Sequence, residues 1–515
     1  MLDVVIRGGL VINPEATARA DVGVEDGRIV AIGDLSQVSA CLDLDATGRN
    51  VMPGFVDAHS HLDLALLDEP VHLPSLHQGV TTVVLGQDGT ASAPGSASTV
   101  AGIREYFAAV NGESTQVSAD ASSVAEFLER MDGAGTLNVA CLVPNGNLRL
   151  DAIGWEDRPA TSDELRAMTE ALELGLEQGA VGLSSGLDYV PSMCADSNEL
   201  AHLCAVVAGA GGVYVTHMRG YDERSPVGFA EVAEIGRRSN VKIHISHLMG
   251  RAERHLPVVD RLRDDGLDLS FDSYPYLAGC TTLAMLALPP ELQRRGPEET
   301  LAALADAEVV VGLRKNWFSG LTGLIGAFRL AYIAAPGLEH LEGASVYEAC
   351  DTLGLDLADL VCTLLVESRL AVGVVEPNGL GDDDLRATHR HPLHMAGADG
   401  IYMGSHPHPR GWGTFARYLG RYGRERGDFT WCEAARHLAT AAADRFGLRD
   451  RGRVAVGQFA DVVVLDPEAI IDTATFQHPR SLARGVQHVL VNGVAALVDG
   501  VPTGARPGRA LRRGA

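Results

Sequence analysis

Lysine is almost missing from this 515-residue chain: of 42 basic side chains, only Lys242 and Lys315 are lysines. The bulk reading is a coding bias toward arginine. Basic charge is short overall, and the net charge of −25 argues against a nucleic-acid or anionic-membrane partner. No CxxC spacing occurs among the eight cysteines, so neither a disulfide framework nor a thiolate zinc motif is expected. Long apolar runs are absent and mean hydropathy is +0.06, which argues against membrane spans. The start, MLDVVIRGGLVINPEA, lacks a basic leader and an apolar cleavable segment, and a cytoplasmic protein is expected. No internal repeat or low-complexity tract is present.

What is there is ordinary globular composition, 46% hydrophobic and 21% charged, on a chain long enough for more than one domain. Residues 1–55 read as short strands joined by Gly and Asp-Gly turns, and residues 447–515 resume that style. The two ends together predict a small β-sandwich domain. Between them, 56–446 alternates strand and helix signals. Apolar, β-branched runs lie at 52–58, 80–85, 137–143, 180–184, 212–216, 241–246, 267–272 and 395–399. The stretch TSDELRAMTEALELGLEQ (161–178) carries apolar residues at helical spacing behind a Thr/Ser cap and early acids. Eight strands alternating with helices predict an α/β fold, a (β/α)₈ TIM barrel. The run 369–376 also reads as a strand, which leaves the seventh position ambiguous. Residues 280–368 exceed a normal connection and predict an inserted helical lid.

In a barrel of this kind the chemistry sits at the C-terminal ends of the strands. Those ends carry His59 and His61, Asp88, His217, His247 and Asp399. Any one could be a structural histidine or a turn acid. His59 and His61 stand at i and i+2 on one strand, so both imidazoles face the same side. Four histidines and two carboxylates at one end are costly to bury unless paired or metal-bound, and the donor set suits zinc or a similar divalent ion.

At this point the sequence resembles a family. PGFVDAHSHLD is similar to the opening signature of the amidohydrolase superfamily. GLSSGLDYVP, YVTHMRG, ISHL, DSYPYLAG, ADGIYMGSHPHPRGWGTFARYLG and TGARPGR together resemble its D-aminoacylase (N-acyl-D-amino-acid deacylase) branch. The resemblance implies a barrel plus a small β-sandwich, one tightly held zinc with a second, weaker metal position, and hydrolysis of the N-acyl amide of D-amino acids. It implies that His217 and His247 hold the tight zinc with the group ending the second strand, that His59 and His61 line the second position, and that Asp399 is the general base. Three positions depart from the family pattern. Gln87-Asp88-Gly89 stands for Asn-Cys-Gly, Pro144-Asn145-Gly146 for a Gly-His pair, and Met249 for a lysine. Hydantoinase-like relatives bridge two metals with a carboxylated lysine. Here Lys242 begins its strand and Lys315 lies in the insertion, so a bridging carboxylate must be Asp or Glu, and Asp88 is well placed. As a harder ligand than thiolate, Asp88 makes the site less zinc-selective or more readily binuclear; the alternative is a turn with a capping acid.

A substrate of that class carries an α-carboxylate, which Arg219 or Arg410 could bind bidentately, with Tyr274 donating its hydroxyl. Ser184, Ser185 and Tyr189 predict a substrate-facing loop, and His406, His408 and Trp412 are further candidates. Met249 points to a neutral, apolar substrate side chain. The expected partner is a small-molecule N-acyl amino acid; monomer and homodimer both stay open. Two other readings stand beside this one: an amidohydrolase acting on a cyclic imide, hydantoin, D-configured dipeptide or N-carbamoyl amino acid, and a metal-free scaffold of the same fold.

Overall fold

The computed structural model describes residues 1–112, 114 and 120–514. The fold is mixed α/β. Six parallel strands lie side by side in the order His394–Ala396, Leu269–Ser273, Lys242–Ile245, Val213–His217, Gly182–Gly186 and Val143–Pro144. Three more, Phe55–Asp57, Val80–Leu85 and Asn138–Cys141, form a second parallel sheet. Asn138–Cys141 runs on into Val143–Pro144 after a single residue. At the other edges, Ala58 N–H donates to Ala396 O at 3.2 Å and Asp399 N–H to His59 O at 2.8 Å. The strands are buried on both faces; Val80–Leu85, for example, has no exposed residue, which explains its continuous β-branched sequence.

The helix expected from TSDELRAMTEALELGLEQ is Ser162–Glu177. Thr161 Oγ1 accepts the Glu164 N–H while the Glu164 carboxylate accepts the Thr161 N–H, a reciprocal cap. Its buried face is Met168, Leu172, Gly175 and Leu176. Gly175 is required there, because a Cβ would lie 2.7 Å from Val143 Cγ2.

Strands from both ends of the sequence share one nine-stranded sheet, in which Asn50–Pro53 pairs antiparallel with Val462–Leu465. Val4, Ile6, Val22, Val462, Val464 and Leu490 fill its core. The expected strand 52–58 is therefore split: its first half belongs to this sheet and Phe55–Asp57 to the parallel one. The ambiguous run 369–376 also resolves. Val372–Pro377 is antiparallel, lying between Ala278–Thr282 and Arg329–Ile333, so it has no place among the parallel strands. Residues 278–377 consequently carry a three-stranded sheet as well as helices, with a core around Phe318, Phe328, Leu330, Val361 and Leu364. Among the described residues no helix is long and apolar enough to cross a membrane.

Several histidines outside the strand-end cluster are held neutral by burial, among them His72, His389 and His437. Burial pulls His72 and His389 down to about 3 and His437 to about 4. The unfolded chain titrates them near ~6.5, so their contribution to stability is complete above that pH and is lost as pH falls below it. The slope is about 1.4 kcal/mol per pH unit for each. In His389→Leu, the number of protons taken up on unfolding at pH 5, read from denaturant midpoints against pH, should drop by about one; an unchanged slope would contradict this.

Candidate active site

Asp88 sits in the turn that ends Val80–Leu85, with φ of 54°. His247 (φ 32°) and Asp399 (φ 47°) share this left-handed conformation, which non-glycine residues adopt only where the surroundings hold them. Around Asp88 the constraint is visible. A Cβ on Gly86 would lie 2.7 Å from Leu142 O, and one on Gly89 would lie 2.7 Å from Gly186 N. Buried Gln87 donates to Ala58 O and Val84 O, and Ser184 Oγ donates to Gly86 O at 2.5 Å while accepting Gly89 N–H. The flanking glycines of GQDG thus permit a tight crossing that aims the acid inward.

The acid meets histidines on both sides. His59 Nε2 lies 3.6 Å from Asp88 Oδ1, His61 Nε2 3.6 Å from Oδ2, and His247 Nε2 3.7 Å from Oδ1. His217 Nδ1 is 3.2 Å from His247 Nε2. Two groups spaced to hold a metal result, His59/His61/Asp88 and Asp88/His217/His247, all buried, with Asp88 common to both. The donor chemistry fits a metal: His59 Nε2 and Asp88 Oδ1 are buried with no hydrogen-bond partner, a costly arrangement unless an ion completes it.

Asp399 closes the other side, 3.3 Å from His61 Nε2 and 3.7 Å from His59 Nε2. Arg410 Nη2 contacts Asp399 Oδ2 at 2.9 Å. Burial pushes the Asp399 carboxyl up, but the Arg410 guanidinium and the histidines outweigh it and hold it down to about 2. Arg410 is fully buried, stacks 4.5 Å from the centre of the Tyr274 ring, and keeps Nε and Nη1 without hydrogen-bond partners. His408 positions it, its Nδ1 accepting the Arg410 N–H and its Nε2 donating to Ala278 O. These groups open onto a cavity of about 240 Å³, also lined by Tyr189, Met249, Met285 and Leu286.

Several expected residues lie elsewhere. Arg219 does not line the cavity: its guanidinium is spent on Glu231 and on the Met193 and Ala195 carbonyls. Ser185 also faces away, its hydroxyl bonded to Tyr214 Oη at 2.7 Å and Thr216 Oγ1 at 3.0 Å, because alternate residues of Gly182–Gly186 point to opposite faces. His406 pairs with Ser405, and Trp412 packs 5.0 Å from Tyr402. Three residues outside the sequence expectations support the cluster. Asp272 accepts from His244 Nε2 and from His247 N–H, both at 2.9 Å, and lies 3.5 Å from His59 Nδ1. Asn111 Oδ1 is 2.9 Å from His61 Nδ1. Asp188 Oδ2 is 3.6 Å from His217 Nε2. Asp272 had a signal, an acid in an apolar strand two residues before Tyr274; Asn111, in AAVNG, had none.

Residues 44–496 match the family model "Amidohydrolase family". The chain belongs to the amidohydrolase family. This amidohydrolase is 35% identical to N-acyl-D-glutamate deacylase of Alcaligenes xylosoxydans xylosoxydans, over 100% of this chain and 97% of the relative. It superposes on N-acyl-D-glutamate deacylase from Bordetella bronchiseptica, solved with zinc and a phosphonate inhibitor that mimics the tetrahedral intermediate. That match has a TM-score of 0.84 and 31% identity, over 99% of each chain. A D-aminoacylase structure, described as having a binuclear metal centre, matches with the same TM-score and 32% identity over 100% of each chain.

Proposed function

We propose that this amidohydrolase hydrolyses the N-acyl amide of N-acyl-D-amino acids, releasing a carboxylate and a free D-amino acid. The observation that carries the reading is the convergence of four histidines on Asp88 beside the buried Asp399–Arg410 pair. The relatives are deacylases of this class, and one was solved with zinc. His59, His61, Asp88, His217 and His247 would hold zinc, with Asp88 common to two positions. When bound, zinc supplies Lewis-acid polarisation of the scissile carbonyl and lowers the pKa of water.

The protein's own groups do the rest. Asp399, kept ionised, takes the proton of the attacking water and hands it to the leaving amine nitrogen. Arg410, whose Nε and Nη1 are unpartnered, donates a charge-assisted hydrogen bond to the substrate α-carboxylate from one of them. Burial keeps the Tyr274 phenol protonated, with Arg410 opposing, so it can donate a hydrogen bond to the same carboxylate or the developing oxyanion. Asp399 and the Cys280 carbonyl already occupy Nη2, which leaves Nε or Nη1 for substrate.

The nine parallel strand segments, eight strands when Asn138–Cys141 and Val143–Pro144 are taken as one, support a (β/α)₈ barrel over 56–446, with residues 1–55 and 447–515 as the small β-sandwich and 280–368 as a lid that keeps bulk water from the cavity. We place the enzyme in the cytoplasm, acting on a small-molecule substrate. Met249, Met285 and Leu286, on a cavity wall that also carries Arg224 and Glu376, support a neutral substrate side chain. N-acetyl-D-methionine or N-acetyl-D-leucine should therefore exceed N-acetyl-D-glutamate in kcat/KM by roughly tenfold or more. A panel that adds L-enantiomers, dipeptides and hydantoins tests both points. Best turnover of the glutamate substrate would overturn the side-chain assignment, and activity only on cyclic amides would overturn the reaction.

A further inference from the structure

We infer that Asp188 is a positioning residue for His217: its carboxylate accepts the Nε2 proton and so directs the Nδ1 lone pair of His217 into the Asp88/His217/His247 metal group. The inference rests on the zinc-site reading above.

His217 Nδ1 is the atom that lies 3.2 Å from His247 Nε2, on the side of the shared Asp88. A metal ligand must present a lone pair, so a neutral imidazole that binds through Nδ1 carries its proton on Nε2. Nε2 of His217 is buried and makes no hydrogen bond. Asp188 Oδ2 faces it at 3.6 Å, a few tenths of an ångström beyond a hydrogen bond. The ring is held to this orientation from two sides, since Tyr189 and Tyr221 pack edge-on with centroids 4.8 and 4.9 Å away. Asp188 is fixed in turn. The same oxygen accepts the Gly220 N–H at 3.1 Å and meets Arg224 Nη2 at 3.4 Å.

The arrangement repeats around the cluster. Asp272 lies against the far nitrogen of His59, and Asn111 accepts from the far nitrogen of His61. Three of the four histidines thus have an oxygen acceptor behind them. Partners of this kind fix tautomer and raise ligand basicity, and their removal weakens metal binding about 10–100-fold.

The test is zinc affinity by chelator competition on purified Asp188→Ala, Asp188→Asn and Arg224→Ala beside wild type, with melting temperatures of the zinc-loaded proteins as a check on folding. Asp188→Ala should bind zinc about 10–100-fold more weakly while reaching the wild-type stoichiometry in excess zinc. Asp188→Asn keeps an acceptor oxygen without the charge and should fall between. Arg224→Ala removes the outer ion pair only and should keep wild-type zinc affinity. Wild-type affinity in both Asp188 variants would overturn the proposal, as would an equal loss in Arg224→Ala, which would mean that Asp188 merely holds the 220–224 turn. A wild-type protein that binds no zinc would instead overturn the metal-site reading itself.

Discussion

Asp88→Ala should lose zinc from both metal groups at once, with zinc per chain and activity falling together. Asp88 is the one residue common to the two groups, and its two oxygens face different histidines, Oδ1 toward His59 and His247 and Oδ2 toward His61. Removing it takes a ligand from each position and leaves Asp399, which faces His59 and His61 but is bound to Arg410, as the remaining carboxylate on that side. The Lewis-acid contribution to such a reaction is several kcal/mol. At ~1.4 kcal/mol per factor of ten, kcat/KM should drop about 10³-fold or more. The turn itself should survive, because it is held by Gln87, Ser184 and the glycines rather than by the carboxylate. Asp88→Cys is the informative companion. It restores the ligand that the resembled family uses, and should regain zinc and part of the turnover. Full zinc content and unchanged turnover in Asp88→Ala would make Asp88 a turn acid and nothing more.

Asp399→Asn is the second large effect. The amide keeps the shape of the side chain but cannot take a proton, so kcat should fall about 10²–10⁴-fold, the usual value of a positioned general base. Zinc content should stay at the wild-type level, which separates this variant from Asp88→Ala. The neighbouring Arg410 is fully buried and loses its charged partner. Breaking a buried pair on one side costs up to ~3–5 kcal/mol, and a retained amide oxygen lessens that, so a lowered melting temperature should accompany the loss of turnover. A variant that turns over within a few-fold of wild type would remove Asp399 from the proton transfer.

Much of this site could be read from the sequence, because it is written as one residue type at one kind of place. His59 and His61 share a strand face, and His217, His247, Asp88 and Asp399 each follow an apolar β-branched run. That pattern needs no knowledge of how strands neighbour one another. The acceptors behind the histidines do need it. Asp272 reaches His59 from a strand more than 200 positions away, and Asn111 reaches His61 from a short helix with no periodic signal. The arginines illustrate the same limit. Arg219 and Arg410 both lie near strand-end motifs, yet only the path of the chain decides that one guanidinium meets Glu231 and two carbonyls while the other meets Asp399. The run 369–376 was ambiguous for a related reason: a buried antiparallel strand in an insertion and a buried parallel strand carry the same composition.

The nine-stranded sheet has a consequence for synthesis on the ribosome. Asn50–Pro53 emerges early, but its antiparallel neighbour Val462–Leu465 follows some four hundred residues later. The Val139 N–H likewise waits for the Arg509 carbonyl. Until those segments arrive, the first strands expose a hydrogen-bonding edge and an apolar face together, a combination that invites mispairing with other chains. The nascent protein therefore carries this exposed edge until residues 462–465 emerge, and slowing translation between residues 400 and 460 should lower its soluble yield more than slowing it after 510.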